Sequence, residues 1–408
     1  MSNGYKESNR IFEEAKKIIP GGVTKARVAH VPGKYPIYMK YAKGAHVWDV
    51  DDNEYIDWMC GYGCIYLGHQ YKEVDDAVKK QMEVGFTSFL SNPYQNEFAQ
   101  ELIDYIPCAE MIRYFKTGSD ATTAAVRIAR IHTGRDKIIR WGYHGWHDWS
   151  LANFYGFDEG VPQATRDLTL AYEYNDLESV KKLFADNPGE IACLITMPFE
   201  TEMPKEGFLE GLKKICAENG ALLIFDEVRS GFRAKGGSAQ VQFGVTPDIG
   251  VFNKAMGNGY PISIVCGKSE YMHAVEKGLL SATFFVSTLE MAAARKVLEI
   301  IKRDGVVERL WELGTRFQTQ LKQIVTPSPI DFSVVGIPSM PLLKFEMKDE
   351  QVNEKAKMAF YADVAENGVY LHPNHHWFMN FSHTEEDVDR TMEVMANALK
   401  VAEKAIGV

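Results

Sequence analysis

The apolar positions change period along the chain, and the changes mark out its elements. Between residues 5 and 18, Ile11, Phe12, Ala15 and Ile18 recur at helical spacing before Pro20-Gly21-Gly22 breaks the pattern, which predicts a helix followed by a loop or arm. From Tyr38 to Asp57 the segments IYMKYA, AHVWDV and EYIDW are separated by Lys-Gly and Asp-Asp-Asn, as in a small antiparallel meander. From about residue 70, helical stretches alternate with the short apolar runs MIRYFK, KIIRW, IACLITM, ALLIFDE, DIGVFNK and ISIVCG. Strands spaced by helices predict a parallel sheet covered on both faces. After SATFF a long helix carries Met291 to Lys302 and continues past a break at Gly305. Residues 325–408 then offer the strands FSVVGI, PLLKFEM and WFMNF followed by two amphipathic helices, a separate α+β lobe.

Composition narrows the class. The chain has 408 residues, 46% hydrophobic and 12% aromatic, with 45 basic against 55 acidic side chains. That excludes disorder and fibrous repeats and leaves room for two or three domains. A net charge of −10 gives no general reason to bind nucleic acid or an anionic membrane, and no run approaches the apolar length of a bilayer span. Small-molecule partners are expected. The six cysteines form no CxxC pair, so they read as reduced thiols in a cytoplasmic protein.

Four segments carry chemistry. In MIRYFKTGSDATTAAVRIAR a strand enters a helix through Thr117-Gly118-Ser119-Asp120, and free amides with the positive helix end make a ready phosphate site. Ser119 or Asp120 serving only as a helix cap is the simpler alternative. ALLIFDEVRSGFR places Asp226 and Glu227 at the end of a buried strand, where ligands of open α/β sheets sit. A carboxylate there can bind a metal, act as a base or pair with a protonated ring nitrogen. DIGVFNKAMGNGYPIS holds Lys254 directly after a strand, where a partly desolvated amine can attack a carbonyl and form a Schiff base; a surface lysine is the bland alternative. WGYHGWHDW offers Tyr143, His144 and His147, aromatics able to stack on a flat ring, and no third ligand stands at a zinc spacing, so no metal is expected. His372, His375 and His376 read as a polar loop. Together these segments ask for one ligand with a phosphate, a flat ring, a basic ring nitrogen and an aldehyde, which is pyridoxal 5′-phosphate.

The succession PGGV, KGAHVWDVDDNEYIDW, LGH, TGSDATTAAVRIAR, TGRDKII, GYHG, ALLIFDEVRSGFR and HTEEDVDRT resembles the class III aminotransferases of pyridoxal-phosphate fold type I. The likeness is strongest to the glutamate-1-semialdehyde aminomutase branch and runs from about residue 8 to 402. It implies a large domain with a mainly parallel seven-stranded sheet over residues 70–305. It also implies a smaller α+β domain, assembled from an N-terminal arm and strands in residues 1–69 and a C-terminal part in 306–408. By the same resemblance Lys254 is the Schiff-base lysine, Asp226 the partner of the pyridinium nitrogen, and Val228 the side chain against the ring. Tyr143 is then the stacking aromatic with His144 beside it, and Gly118, Ser119 and Asp120 form the phosphate loop. Thr283 reaches the phosphate of a neighbouring subunit, which implies a homodimer with shared active sites. Arg27 holds a substrate carboxylate, and Tyr62 replaces a pocket tryptophan.

Three departures set the substrate pocket apart. Met197-Pro198 stands where the family has Glu-Pro, leaving Glu200 as the nearby acid; Phe285-Val286-Ser287-Thr288-Leu289 replaces Ser-Asn-Pro-Leu; and HPNHHWFMN lacks the acid that aminomutases carry there. The expectation is an aminotransferase moving an amino group from an amino acid, by family habit L-glutamate, to an aldehyde or keto acceptor. An aminomutase of the glutamate-1-semialdehyde type and an amino-acid epimerase remain the alternatives.

Overall fold

The computed structural model describes residues 4–24, 37–88, 90–154 and 156–408. The chain divides into two compact units, one of Met1–Lys72 with Glu308–Val408 and one of Glu73–Val307.

The first unit begins with the helix Lys6–Ala15 and the expected meander of β1 (Met39–Lys43), β2 (His46–Asp49) and β3 (Glu54–Asp57), paired antiparallel in sequence order. The turn between β2 and β3 is organised by Asp49. One carboxylate oxygen accepts from the backbone N–H of Asp51 and Asn53, and the other from the Asn53 amide and the Tyr55 hydroxyl.

The second unit is built on seven strands: β4 (Met111–Phe115), β5 (Lys137–Trp141), β6 (Thr169–Ala171), β7 (Ile191–Thr196), β8 (Leu222–Glu227), β9 (Ile249–Phe252) and β10 (Ser263–Gly267). They lie in the order β4-β10-β9-β8-β7-β5-β6. Only β10 runs antiparallel to its neighbours, so the sheet is mainly parallel, as the alternating pattern requires. Six of the seven strands are the apolar runs of the sequence. The seventh, β6, spans three residues, too few to register as a periodic run. Side chains alternate between faces along each strand. On β8, Leu222 and Ile224 join the core under the helix Gly118–Thr133, whereas Leu223 and Phe225 join the core under Phe208–Glu218.

The first unit resumes after the helix Leu289–Asp304, which ends at Gly305 with φ of 61°. β11 (Phe332–Val335) and β12 (Leu342–Phe345) pair as a hairpin, and β13 (Val369–Tyr370) adds parallel to β3. WFMNF is not a strand. Four of its N–H groups go to the carbonyls of Pro341 (from Trp377), Trp58 (from Phe378), Ser339 (from Met379) and Tyr66 (from Phe381), and that of Asn380 goes to His383 Nδ1, so the buried extended segment has no single partner and forms no ladder. The two late helices, Glu350–Glu366 and Glu385–Ile406, are separated in sequence by β13 and pack on each other. Among the described residues, no helix is long and apolar enough to cross a membrane.

Candidate active site

The second unit brings its candidate residues to one end of the sheet by backbone periodicity. Asp226 ends β8 on the face of Ile224, toward the helix Gly118–Thr133, and Glu227 turns to the opposite face. Asp226 is buried. Its Oδ2 lies 2.7 Å from His144 Nδ1, and its Oδ1 accepts from the N–H of Val228 at 3.0 Å. A carboxylate oxygen accepts, so Nδ1 is the donor in this bond. The histidine is fixed on all sides: its N–H donates to Ser150, its carbonyl accepts from Thr122, and its ring stacks at 5.9 Å on Trp149. Its Nε2 is buried without a partner.

Val228 leads to the phosphate loop. A Cβ on Gly118 would stand 3.0 and 3.1 Å from the Val228 methyls and 3.5 Å from the Asn253 side chain, so strand end, helix start and the residue before Lys254 meet at this glycine. Thr117 is the helix cap. Its hydroxyl accepts from the Asp120 N–H, and the Asp120 carboxylate accepts in return from the Thr117 N–H. The cap therefore engages the Asp120 side chain and leaves the first helix amides, at Gly118 and Ser119, without intrahelical partners. Ser119 Oγ accepts from the N–H of Trp146, and Gly145, with φ of 111°, has no room for a Cβ beside it. Tyr143, two residues earlier, is 55% exposed, a large ring left uncovered by protein.

Lys254 is half-buried and opens a 3₁₀ turn after β9. Its φ is 44°, a left-handed conformation that costs a non-glycine residue about 1–3 kcal/mol and concentrates at functional sites. Nothing in NKAMGN announces it. In that loop Gly257 allows close packing on Ile262, at 3.1 Å from a Cβ, and Gly259 supplies a φ of 98°.

Several neighbours complete the surroundings of β8, and of these Arg229 has no sequence signal strong enough to single it out. Glu227 accepts from the N–H of Ala239, the amide of Gln240 and the hydroxyl of Ser230, and burial pushes its carboxyl up to about 7. Arg229 pairs with Glu200 at 3.2 Å. Met197 fills the space beside Gly142, at 2.6 Å from a Cβ there.

Thr283 is exposed, in the 3₁₀ turn Thr283–Val286. Tyr62 belongs to the first unit. It lies in a left-handed turn, Cys60–Gly63, in which Cys60 and Tyr62 have φ of 48° and 60°. The Asp57 carboxylate holds that turn through the N–H groups of Met59 and Cys60, and Tyr62 meets His375 edge-on at 4.8 Å. Arg27 lies outside the described residues. Among those described, no group of His, Cys, Asp and Glu is placed to hold a metal.

The groups gathered at β8 and β9 fit pyridoxal phosphate: two free helix amides for the phosphate, a buried carboxylate with lone pairs left for a ring N–H, an uncovered aromatic face and a strand-end amine. Comparison with known proteins agrees. The family profile "Aminotransferase class-III" matches residues 28–399. A 3-aminobutyryl-CoA aminotransferase of Cloacimonas acidaminovorans is 40% identical over 98% of each chain, and a glutamate-1-semialdehyde 2,1-aminomutase of Methanosphaera stadtmanae is 34% identical over 97% of this chain and 98% of its own. The FumI protein of a Sphingopyxis species, solved as the pyridoxal-phosphate internal aldimine, is 30% identical and superposes with a TM-score of 0.91 over 98% of this chain and 97% of its own. The chain belongs to the class III aminotransferases, pyridoxal-phosphate-dependent enzymes of fold type I.

Proposed function

We propose that the enzyme transfers the amino group of L-glutamate to a β-keto acyl acceptor, releasing each product before the next substrate binds. The observation that carries the acceptor class is the 40% identity, end to end, with a 3-aminobutyryl-CoA aminotransferase. The family supports an amino donor and a carbonyl acceptor; glutamate follows from family habit.

The cofactor, when bound, supplies an aldehyde for amine exchange and a ring that withdraws electrons from the substrate carbon. Asp226 keeps the proton on the ring nitrogen, and His144 holds Asp226 in register through Nδ1. The Gly118 and Ser119 amides take the phosphate at a helix N-terminus, Asp120 keeps that terminus capped, Val228 packs on the ring and Tyr143 covers it. Lys254 is the attachment point. Freed from the cofactor by the incoming amine, its Nζ would take the proton from the substrate α-carbon and deliver it to the cofactor carbon that had carried the lysine. Arg27 and Tyr62 are the proposed substrate contacts.

A homodimer belongs to this reading. Phe86, Leu90, Phe284 and Val286 are exposed large apolar side chains, and the N–H of Thr288 donates to Phe86 at 2.9 Å, joining their two segments into one uncovered patch next to Thr283. A patch of that kind suits a second copy. The six cysteines are free thiols, which suits the cytoplasm.

The aminomutase reading has one specific support, the 34% identity with glutamate-1-semialdehyde aminomutases. Against it, the segment His372–Trp377 and Tyr62 present aromatic rings to one another where the aminomutase pattern has an acid and a tryptophan. One experiment tests both. Holoenzyme is given L-glutamate, the cofactor absorbance is followed to completion, and 3-oxobutyryl-CoA is then added. Bleaching followed by recovery is expected. Efficient conversion of glutamate-1-semialdehyde to 5-aminolevulinate with no second substrate would replace this reading with the aminomutase one.

A further inference from the structure

We infer that Arg140 is the positioning residue of the loop that covers the cofactor: its guanidinium clamps both ends of residues 142–152 and, through the ring of Phe154, sets the angle at which Tyr143 lies on the cofactor. The inference deepens the proposed transaminase reading and rests on it for the stacking role of Tyr143.

The strand places the side chain. Alternation along β5 puts Arg140 on the face of Ile138, which shares the core under the helix Gly118–Thr133 with Ile224 of β8. That is the face of the sheet on which Asp226 stands. β5 then ends at Trp141, and the chain carries Tyr143, His144 and Trp146 through a loop before the short helix Asp148–Leu151. Arg140 reaches both ends of this segment. Its Nη2 donates to the Ala152 carbonyl at 2.8 Å and its Nη1 to the Gly142 carbonyl at 3.4 Å. Its Cζ lies over the Phe154 ring, 5.1 Å from the centre, and Phe154 in turn meets Tyr143 edge-on at 6.3 Å.

Charge sets this clamp apart from ordinary packing. Arg140 is 4% exposed, and among the described residues no carboxylate pairs with it. Its partners are two carbonyls and one ring face, and its Nε is buried with none. Burial accordingly disfavours the Arg140 charge, with no acid to oppose that effect. A buried cation without an anion is a costly way to fill a core, and an apolar side chain of similar volume would fill it at less cost. The same loss of solvent strengthens its hold on the carbonyls and on the ring, so one group fixes both loop ends and Phe154 together. The neighbouring His144 has a separate set of partners, Ser150, Thr122 and Trp149. Tyr143 has none of these: its ring is exposed and, among the described residues, Phe154 is the one aromatic ring it meets. The ring assigned to the cofactor therefore takes its orientation from Phe154, and Phe154 takes its own from Arg140.

The test reads the cofactor itself. Holoenzymes are compared by circular dichroism in the visible cofactor band, which reports how the ring is held, and by the rate of cofactor release on dilution, with the thermal midpoint measured alongside. Arg140→Met fills the space without donating; it should release cofactor about tenfold faster and lose most of the visible signal. Phe154→Leu leaves the guanidinium bonds in place and should weaken the signal and speed release a few-fold, with the midpoint little altered. Arg140→Lys keeps the charge and a donor but not the flat fork, and should recover part of what Arg140→Met loses. In a Tyr143→Leu background, Arg140→Met should change release no further. A lowered midpoint with signal and release unchanged in Arg140→Met would mean that Arg140 only packs the loop, and overturns the proposal. So does an effect of Arg140→Met that persists undiminished without Tyr143. If Arg140→Met does not fold, Phe154→Leu decides: an unchanged signal and release there overturns the proposal equally. A Tyr143→Leu enzyme with the parental signal and release would remove the stacking role of Tyr143 and the proposal with it, whereas a changed Tyr143→Leu beside silent Arg140 and Phe154 variants removes the proposal alone.

Discussion

Asp49 and Asp226 are both aspartates buried to within a few percent at strand ends, 1% and 5% exposed, yet they are used in opposite ways. Asp49, at the end of β2, accepts four hydrogen bonds, two on each oxygen, and so has no acceptor capacity left. Asp226, at the end of β8, accepts two, one on each oxygen, from a histidine fixed on all sides and from a backbone N–H. A saturated carboxylate organises a turn. A carboxylate that is rigidly held and half-saturated is prepared for a proton that arrives with a ligand. Burial alone does not separate the two; the count of accepted bonds does.

The comparison is broken most directly at Asp226. Asp226→Asn should keep its thermal midpoint, since the amide oxygen still accepts from Val228 and the other His144 tautomer accepts from the new NH₂, while turnover falls by about 10³ or more because a neutral partner no longer holds the ring proton. A rate within tenfold of the parent would remove Asp226 from the mechanism. At Asp49 the same change should act only on stability. The new NH₂ faces the Asn53 amide and the Tyr55 hydroxyl, both donors toward that oxygen, so about 3 kcal/mol should be lost in urea unfolding, with the cofactor affinity of the folded fraction unaltered.

How much of this could be read in the chain depends on what each feature is made of. β4, β5 and β7–β10 were legible because each is an unbroken apolar run, and the cofactor was legible because its four recognition segments each sit at a strand end. The N–H partners of WFMNF were not, since four separate segments supply them. Nor was the left-handed backbone at Tyr62 and Lys254, because the constraint on Tyr62 comes from the Asp57 carboxylate and from Phe378, which stands 2.7 Å from a Cβ on Gly63. Arg229 and Glu200 are 29 residues apart and meet only through the sheet. The residues that fix His144 against Asp226, namely Thr122, Ser150 and Trp149, lie in two segments that composition describes as an ordinary helix and an aromatic loop. Local chemistry is written in order along the chain, whereas the partners that hold it still are recruited across the fold.

Glu227 sharpens the contrast from the opposite face of the sheet. Its carboxyl is raised to about 7 from 4.5, first by burial and only then countered by the hydrogen bonds from Ala239, Gln240 and Ser230. A raised folded pKa means that the neutral acid is the favoured form: its contribution is complete below pH 4.5 and is lost as the pH rises through 7. The parent should therefore lose up to about 3 kcal/mol of unfolding free energy attributable to this group between pH 4.5 and 8. Glu227→Gln, which stays neutral and still accepts, should flatten that slope. An identical slope in both proteins would mean that Glu227 is ionised in the fold throughout.

The smallest difference is between two copies of one device. Thr117 and Thr384 each cap a helix through a hydroxyl that accepts from the third residue, and Asp120 and Asp387 each return the bond to the cap N–H. The capping bonds are alike, so removing the acid should cost about 1 kcal/mol in either place. Asp387 differs in having a second partner, His46 Nε2 at 3.0 Å. That bond and those from Thr384 hold its carboxyl down at about 2 in spite of burial. A lowered folded pKa contributes stability that is present above the ordinary value near 3.8 and lost as the pH falls through 2. Asp387→Ala should thus be the more destabilising of the two near neutrality, with its excess over Asp120→Ala shrinking as the pH drops from about 4 toward 2. Urea midpoints of both variants across that range give the answer. An excess that stays constant with pH would mean that His46 adds packing to the cap and no charge interaction.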